Sequence, residues 1–195
     1  SSKVVSFTLI SLETVKNEQV ELEQYPTGPH IASRMIYTAE NSFDDISGKV
    51  VADFGCGCGT LGVASSLLGA EHVVGIDIDP QSLEIASQNA EDLEVGINFI
   101  WSDIKNLKLR GPLVDTVVMN PPFGTRKKGS DMEFLLLLEQ YILYIRLQPE
   151  KTALRDYGAK SAEVLCELRF DVPQLYKFHK KKEVDVAVDL WRFVP

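Results

Sequence analysis

Two short motifs hold the residues with the clearest chemical capability. The first is Asp53-Phe54-Gly55-Cys56-Gly57-Cys58-Gly59, in which three glycines alternate behind a carboxylate. Glycine lets a ligand approach the backbone because it carries no Cβ, and a helix starting near Thr60 would add unpaired N–H groups. A carboxylate beside such a loop repels a pyrophosphate and suits a cation. The alternative is a tight turn with a capping acid.

The second motif is Asn120-Pro121-Pro122-Phe123. An asparagine side chain offers a carbonyl acceptor, and a proline keeps its backbone C=O although it lacks an N–H. Two such oxygens can hold both hydrogens of a planar NH₂ group and turn its lone pair toward a methyl donor. Phe123 offers a face on which a base can stack. The alternative is a proline-rich loop whose phenylalanine belongs to the core.

Alternating strand and helix patterns position these motifs. Apolar runs predict buried strands over 50–52, 73–76, 97–101 and 114–119. Helical spacing predicts helices over 30–40, 60–68 and 81–93. This alternation predicts an α/β fold with a parallel sheet and right-handed crossovers. Ligands of such sheets bind outside the carboxyl ends of the strands, where the glycine loop, Asp77, Asp103 and Asn120 all fall.

Asp77 stands at the end of the second predicted strand, about 20 residues past the glycines, where α/β nucleotide folds place an acid for the ribose hydroxyls. A carboxylate can accept two hydrogen bonds from a diol. The alternative is a turn aspartate, because Asp79-Pro80 is itself a turn signal.

Composition and charge narrow the class of protein. A chain of 195 residues predicts one domain, and no run is long and apolar enough to suggest a membrane span or a signal peptide. The net charge of −8 argues against a general nucleic-acid coat. The basic residues nevertheless form two islands, which suit either a local RNA contact or a solvated face: Arg126, Lys127 and Lys128, and Lys177, Lys180, Lys181 and Lys182.

The three cysteines make no disulfide framework, which predicts a reducing compartment. Cys56 and Cys58 flank Gly57, but a metal site would need further ligands and the histidines are isolated. We therefore predict no metal, and we interpret these cysteines as small residues wanted between glycines.

The C-terminal part predicts two more strands, over 164–172 and 183–193, the second with strict alternation. They suggest an antiparallel pair at one sheet edge. The stretch 132–148 is almost unbroken apolar sequence in which a helix and a fifth strand must both fit, without a Gly, Pro or Asn to mark the turn.

The pattern Asp-x-Gly-x-Gly-x-Gly resembles the first motif of class I S-adenosylmethionine-dependent methyltransferases. Asn-Pro-Pro-Phe after the fourth strand resembles the amino-methyltransferases that act on adenine N6, cytosine N4 or protein glutamine. Longer strings resemble the methyltransferase-like enzymes that make N6-methyladenosine in small-subunit ribosomal RNA, and this similarity runs from about Glu23 to Phe193. These strings are Asn120-Pro-Pro-Phe-Gly-Thr with its basic tract and Asp131-Met132, Glu23-Gln-Tyr-Pro-Thr27, and Leu175-Tyr-Lys-Phe-His-Lys-Lys-Lys182.

This resemblance implies a Rossmann-like class I methyltransferase fold, with a seven-stranded, mostly parallel sheet in the order 3-2-1-4-5-7-6 and helices on both faces. It implies one methyltransferase domain over 1–195, in which the helical and loop segment 1–49 adds to the cofactor pocket of the core, 50–195. The implied cofactor is S-adenosyl-L-methionine, with Asp103 accepting from the adenine amino group and Ile104 covering the ring. The implied pocket residues are Gln24, Thr27, Asp53, Gly55, Gly57, Cys58, Gly59, Thr60, Asp77, Asp103 and Ile104.

The expected function is transfer of a methyl group to N6 of an adenosine in ribosomal RNA, catalysed by Asn120 to Phe123. The predicted edge strand is apolar and free of charge, a surface that native proteins usually cover, so we expect a partner to pair along Ile97, Phe99 and Trp101. The resemblance points to a small zinc-ribbon activator subunit. It also implies an intracellular location, in nucleus, nucleolus and cytoplasm.

Three other functions stay open. A protein glutamine methyltransferase uses the same grip on a planar NH₂ group, but usually has Tyr in the last motif position and an additional N-terminal domain. A DNA adenine methyltransferase would need a separate target-recognition domain. A non-catalytic, cofactor-binding scaffold would not require the intact motif from Asn120 to Phe123.

Overall fold

The computed structural model describes residues 12, 27–107, 114–120, 142–147, 161–173 and 183–194. The α-helices of this part are α1 (Pro29–Phe43), α2 (Thr60–Leu67) and α3 (Pro80–Asp92). The strands are β1 (Val50–Phe54), β2 (His72–Asp77), β3 (Asn98–Trp101), β4 (Thr116–Met119), β5 (Ile142–Leu147), β6 (Ser161–Pro173) and β7 (Glu183–Val194).

The strands form one sheet in the order β3-β2-β1-β4-β5-β7-β6. The first five in this order run parallel, whereas β7 is antiparallel to both β5 and β6. The predicted α/β fold with a parallel sheet is thus confirmed, as is the antiparallel pair formed by the last two strands.

The described helices pack side by side, α1 against α2 and α2 against α3. Their apolar stripes share a core with inward-facing residues of the central strands and of β7. This core includes Ile36 of α1, Ala64 of α2, Val51 of β1, Val118 of β4 and Leu190 of β7, none of which is exposed. The predicted helices on the second face of the sheet fall outside the described residues.

Element boundaries differ from the sequence prediction by up to three residues, and the differences in β1 and α1 have local causes. β1 runs on through Asp53 to Phe54, because both residues pair with β2 and with β4, so Asp53 lies within the strand. α1 begins at Pro29, which needs no N–H at that position. It ends at Phe43 because Asp44 adopts a left-handed conformation with a φ of +58°.

Asp45, between α1 and β1, ties distant strands together. Its Oδ2 accepts hydrogen bonds from Nε and Nη2 of Arg192 in β7, at 3.0 and 2.9 Å, and its backbone oxygen accepts from the Thr116 hydroxyl at 2.6 Å. The Arg192 guanidinium also lies 4.1 Å from the ring centre of Phe43. A guanidinium held by a carboxylate and a ring face is a favoured cation site, so β7 is anchored to the segment that precedes β1.

In the described part of the chain, no helix combines the length and the apolar character that a membrane crossing requires.

Candidate functional site

The carboxyl ends of β1 to β4 meet at one edge of the sheet. Asp77 at the end of β2 lies level with Trp101 at the end of β3. Phe54 at the end of β1 lies level with Met119 at the end of β4, and Asn120 follows directly. The structure therefore brings the described site residues of these strands to the edge where ligands of open α/β sheets bind.

All three glycines of the loop after β1 have left-handed backbone conformations, with φ of +67° at Gly55, +53° at Gly57 and +83° at Gly59. Residues with a Cβ rarely adopt such angles. A Cβ at Gly55 or Gly57 would meet nothing within 4 Å, whereas one at Gly59 would lie 3.1 Å from Ala86 Cβ of α3. Backbone conformation therefore accounts for these glycines in addition to the ligand access inferred from the sequence.

Several N–H groups of this loop are used by the protein itself. The amides of Gly55 and Cys56 both donate to the Ile76 carbonyl oxygen, at 2.8 and 3.1 Å, and the Gly59 amide donates to the Cys56 carbonyl oxygen at 2.8 Å. A phosphate-binding loop keeps such groups pointed at the ligand. The arrangement therefore favours a ligand without a phosphate, as the carboxylate ahead of the loop suggested.

Asp77 connects the glycine loop to the turn after β2. Its Oδ2 accepts from the Gly57 amide at 2.7 Å, and its Oδ1 accepts from the Asp79 amide at 2.9 Å. Burial raises the pKa of the Asp77 carboxyl, and the backbone N–H bonds oppose that rise. Each carboxylate oxygen has a second lone pair, so Asp77 fits the ribose-binding role predicted for it.

Asp53 lies beneath the loop with 1% of its surface exposed. Its Oδ2 accepts from the Gly62 amide in α2 at 2.8 Å, whereas its Oδ1 is buried without a hydrogen-bond partner. Burial raises the pKa of the Asp53 carboxyl to about 7; the Gly62 N–H lowers it and the Asp77 charge raises it further. Asp53 takes almost no part in the exposed surface and keeps its proton below about pH 7. The predicted attraction for a cationic ligand would therefore act from below the loop, and only when this carboxyl has lost its proton.

We expect Asp53→Asn to make the free energy of unfolding less dependent on pH. The folded wild type keeps the Asp53 proton up to about pH 7, whereas the unfolded chain loses it near 3.8, the ordinary pKa. Wild-type stability therefore falls as the pH rises through this interval, and at about 1.4 kcal/mol per unit the loss between pH 5 and 7 is about 2–3 kcal/mol. Asparagine has no proton to lose. In urea unfolding, the free energy of unfolding of the variant minus that of the wild type should therefore be larger at pH 8 than at pH 5. A difference between the two proteins that stays constant over this range would contradict the prediction.

Asn120 and Thr27 join the end of β4 to the segment before α1. The Nδ2 of Asn120 donates to the Thr27 hydroxyl oxygen at 2.8 Å, while its Oδ1 is buried and has no hydrogen-bond partner in the described part of the chain. A buried acceptor left unpaired costs about 1–3 kcal/mol, so this oxygen is suited to a donor from a ligand. It is the oxygen that the sequence predicted to hold a planar NH₂ group.

Cys56 and Cys58 are buried free thiols. Burial raises the pKa of both, so both stay protonated and unreactive. The Cys58 sulfur lies 3.4 Å from the Thr60 hydroxyl oxygen, and both side chains are buried, so ligand contacts from this pair would come from the backbone. The described residues include no group of three or more His, Cys, Asp or Glu side chains that could hold a metal ion.

Asp103 and Ile104 follow β3 at the same edge of the sheet. Asp103 is half-buried and its backbone oxygen accepts from the Asn106 amide at 2.9 Å, within the short 3₁₀ helix Ile104–Asn106. Ile104 is buried, with 5% of its surface exposed. The adenine contacts implied for this pair stay predictions.

The sequence reasoning missed two residues of this site. Ile78 directly follows the predicted ribose acid and exposes 52% of its surface, an apolar face at the carboxyl end of β2. Asn89 of α3 is 1% exposed, and its Nδ2 donates to the Cys58 carbonyl oxygen at 3.0 Å, which braces the glycine loop. A signal for Asn89 existed: it stands three residues after Ala86, within the apolar stripe of its helix.

The predicted partner edge is only partly exposed. β3 lies at one end of the strand order, and Trp101 is 70% exposed. Ile97 precedes the strand and packs against the core. The Phe99 ring covers Gly75 so closely that a Cβ there would lie 2.7 Å from it. The edge is therefore shorter, and its side chains less exposed, than the sequence suggested.

The remaining predicted residues lie outside the described part of the chain and stay predictions. They are Gln24 of the cofactor pocket, Pro121, Pro122 and Phe123 of the catalytic motif, and the basic residues Arg126, Lys127, Lys128, Lys177, Lys180, Lys181 and Lys182.

Comparisons with known proteins agree on one class. Residues 31–140 match the family model described as methyltransferase small domain. The chain is 42% identical over 203 residues to the rRNA N(6)-adenosine-methyltransferase METTL5 of Danio rerio, across 99% of this chain and 98% of that protein. It is 38% identical over 198 residues to the rRNA N(6)-adenosine-methyltransferase Mettl5 of Drosophila melanogaster, across 95% and 92%. The crystal structure of PH1948 from Pyrococcus horikoshii superposes with a TM-score of 0.82 at 32% identity, across 99% of this chain and 97% of that one.

The parallel sheet, the glycine loop and these matches define a methyltransferase. The chain belongs to the methyltransferase small domain family and, within it, to the group that includes the zebrafish and fly METTL5 proteins.

Proposed function

We propose that this protein transfers the methyl group of S-adenosylmethionine to N6 of an adenosine in ribosomal RNA. The observation that carries the proposal is the hydrogen bonding of the Asn120 side-chain amide. Thr27 engages its NH₂ group at 2.8 Å, so the buried and unpaired Oδ1 is the atom left for a ligand. That atom can only accept, and an exocyclic adenine amine is a planar group with two hydrogens to donate.

The cofactor chemistry fits the residues around the glycine loop. S-adenosylmethionine supplies an electrophilic methyl group on a positively charged sulfur, and it carries no phosphate. The loop amides already bonded within the protein suit such a molecule, Asp77 can accept its ribose hydroxyls, and buried Asp53 has an unpaired oxygen beneath the loop. Ile78 adds an exposed apolar face beside Asp77.

The amine chemistry depends on orientation. An adenine N6 lone pair is delocalised into the ring, so the amine is a poor nucleophile until its hydrogens are held and its lone pair is turned toward the methyl group. The Asn120 carbonyl oxygen holds one hydrogen and stabilises the positive charge that develops on N6. Transfer would break the bond between sulfur and the methyl group and leave neutral S-adenosylhomocysteine. The methylated amine would then lose a proton to solvent, because delocalisation makes the cation acidic. No covalent intermediate with the protein is required.

The substrate we propose in particular is small-subunit ribosomal RNA, in line with the motif strings that extend the resemblance beyond Asn120. The basic islands at 126–128 and 177–182 would contact its phosphates. An RNA of this kind implies an intracellular enzyme, which we place in nucleus, nucleolus and cytoplasm. Fractionation of cells with an antibody to the protein tests this, and a signal confined to secreted material would contradict it.

We also propose that a small zinc-ribbon activator subunit pairs with the edge strand β3 to form a heterodimer. The support is the place of β3 at the sheet edge and the exposed indole of Trp101, because aromatic side chains are favoured interface anchors. Amide hydrogen exchange tests it: a partner that adds a strand must slow exchange over residues 98–101. Unchanged exchange in the presence of the activator would contradict strand addition.

Methyl transfer from a labelled cofactor tests the function. The wild type, with and without the activator, is incubated with purified small and large ribosomal subunits, and RNA and protein are separated before nucleoside digestion. We expect label in N6-methyladenosine from small-subunit RNA, with Asn120→Ala as the matched inactive control. Label confined to protein would favour the glutamine alternative, and cofactor binding without any transfer would favour the scaffold.

A further inference from the structure

An exposed tryptophan at the sheet edge is hydrogen-bonded to the backbone of the turn that follows Asp77. The indole Nε1 of Trp101 donates to the Ile78 carbonyl oxygen at 2.9 Å, although 70% of the Trp101 surface is exposed. An indole has one donor and no acceptor, so this bond uses the full hydrogen-bonding capacity of the ring and links it to the Ile78 carbonyl.

The accepting carbonyl belongs to a peptide unit that is held from both sides. The C=O of Ile78 and the N–H of Asp79 form one planar group. Trp101 holds its oxygen, and the Asp79 N–H donates to Asp77 Oδ1 at 2.9 Å. Rotating this peptide away from Trp101 would therefore also turn its N–H away from the Asp77 carboxylate.

The Asp77 carboxylate has its other oxygen fixed by the glycine loop, since Oδ2 accepts from the Gly57 amide at 2.7 Å. The orientation of the carboxylate thus depends on one bond from the loop and one from the Ile78–Asp79 peptide. The residue that follows β3 holds the same turn, because the Ser102 amide donates to the Asp77 carbonyl oxygen at 3.0 Å. Among the side chains of β3, Trp101 is the one that donates a hydrogen bond to this peptide.

We propose that Trp101 is a positioning residue for cofactor binding: through the Ile78–Asp79 peptide it orients the Asp77 carboxylate toward the ribose and holds Ile78 as an apolar face beside it. This rests on the proposed function only in that the ligand of Asp77 is a nucleoside cofactor. It assigns a role to an exposed edge residue that does not itself contact the reacting atoms.

Trp101→Phe is the central variant, because phenylalanine keeps a flat apolar ring, although a smaller one, and lacks the N–H donor. Ile100→Ala is the matched control: Ile100 is the preceding residue of the same strand, is 42% exposed, and has its side chain on the opposite face of the strand. Binding of S-adenosylmethionine and S-adenosylhomocysteine is measured by calorimetry on the full chain, so that no RNA is needed. Cofactor KM, RNA KM and kcat are measured separately.

We expect Trp101→Phe to raise the cofactor Kd and KM about 3–10-fold, the range of one lost hydrogen bond, with kcat at saturating cofactor and the KM for RNA unchanged. Ile100→Ala should leave all four quantities unchanged. Equal effects of the two variants, a cofactor Kd within twofold of the wild type in Trp101→Phe, or a fall in kcat alone would each overturn the proposal.

A double-mutant cycle with Asp77→Asn separates positioning from general loosening. If Trp101 acts through Asp77, then Trp101→Phe in the Asp77→Asn background should raise the cofactor Kd much less than it does in the wild type. Full additivity would overturn the proposal. The proposed function can fail separately. If the wild type binds cofactor and Trp101→Phe weakens that binding, but no methyl group is transferred to RNA, the role of Trp101 still holds. A wild type that binds no cofactor would overturn both.

Discussion

Asn120→Ala should lower kcat about 10²–10³-fold, the loss seen when one positioned transition-state contact is removed. The cofactor Kd should stay within about twofold, because the proposed mechanism assigns the buried Oδ1 to the acceptor amine and this atom takes no part in the glycine loop. Single-turnover methyl transfer gives the rate and calorimetry gives the Kd. Wild-type turnover in a folded Asn120→Ala protein would contradict the grip on the amine.

Thr27 supplies a matched pair of controls for this result. Thr27→Ser keeps the hydroxyl that accepts from Asn120 Nδ2 at 2.8 Å and should retain nearly full turnover. Thr27→Val has the same shape as threonine without the acceptor, so the amide loses the contact that fixes its orientation. We expect Thr27→Val to lose about tenfold in kcat, in line with a contact that orients the reacting group and does not itself touch it. Equal activity of the two variants would mean that the amide is oriented by other contacts.

Asp77→Ala should raise the cofactor Kd about 10²-fold, or about 3 kcal/mol, through two losses. The ribose hydroxyls lose a charged acceptor, and the Gly57 and Asp79 amides lose the carboxylate that they share. Asp77→Asn should recover only part of the affinity, because its NH₂ group would face one of these donating amides. Calorimetry with S-adenosylhomocysteine measures both variants.

Asp79→Asn is the control for charge near this site. The Asp79 side chain caps α3 by accepting from the amides of Gln81 and Ser82, and asparagine is also a good cap. We therefore expect a cofactor Kd close to that of the wild type. A rise as large as that of Asp77→Ala would show that the local negative charge matters, and the specific grip of Asp77 would lose its support.

The strand ends and the glycine loop could be predicted because their signals are local. An apolar run followed by Asp53 and alternating glycines predicts a strand and a turn from one short stretch, and parallel alternation then brings Asp77 and Asn120 to the same edge. The contact between Asn120 and Thr27 joins residues 93 positions apart, and motif order alone predicts only that both are near the pocket.

Other features depend on tertiary packing that no local pattern encodes. In the strand alternation, Phe99 has the position that the sequence predicts for a side chain facing a partner. Its ring nevertheless lies across Gly75, because the missing Cβ leaves room for it. The extension of β1 through Asp53 follows from pairing on both sides, which overrides the polar character of the residue. The bond from Trp101 to Ile78 requires the edge strand and the turn after β2 to lie side by side, which only the completed sheet provides.

The insertion of β7 between β5 and β6 has a consequence for synthesis. A nascent chain that has emerged only as far as Pro173 has both β5 and β6 but lacks the strand that separates them in the sheet. It also lacks Arg192, whose partner Asp45 was made 147 residues earlier. Pairings of such high contact order form slowly, and unpaired strand edges in the meantime invite aggregation. The sheet can therefore be completed only after β7, the last strand described here, has been made, and until then the edge of β5 that pairs with β7 has no partner in the native order.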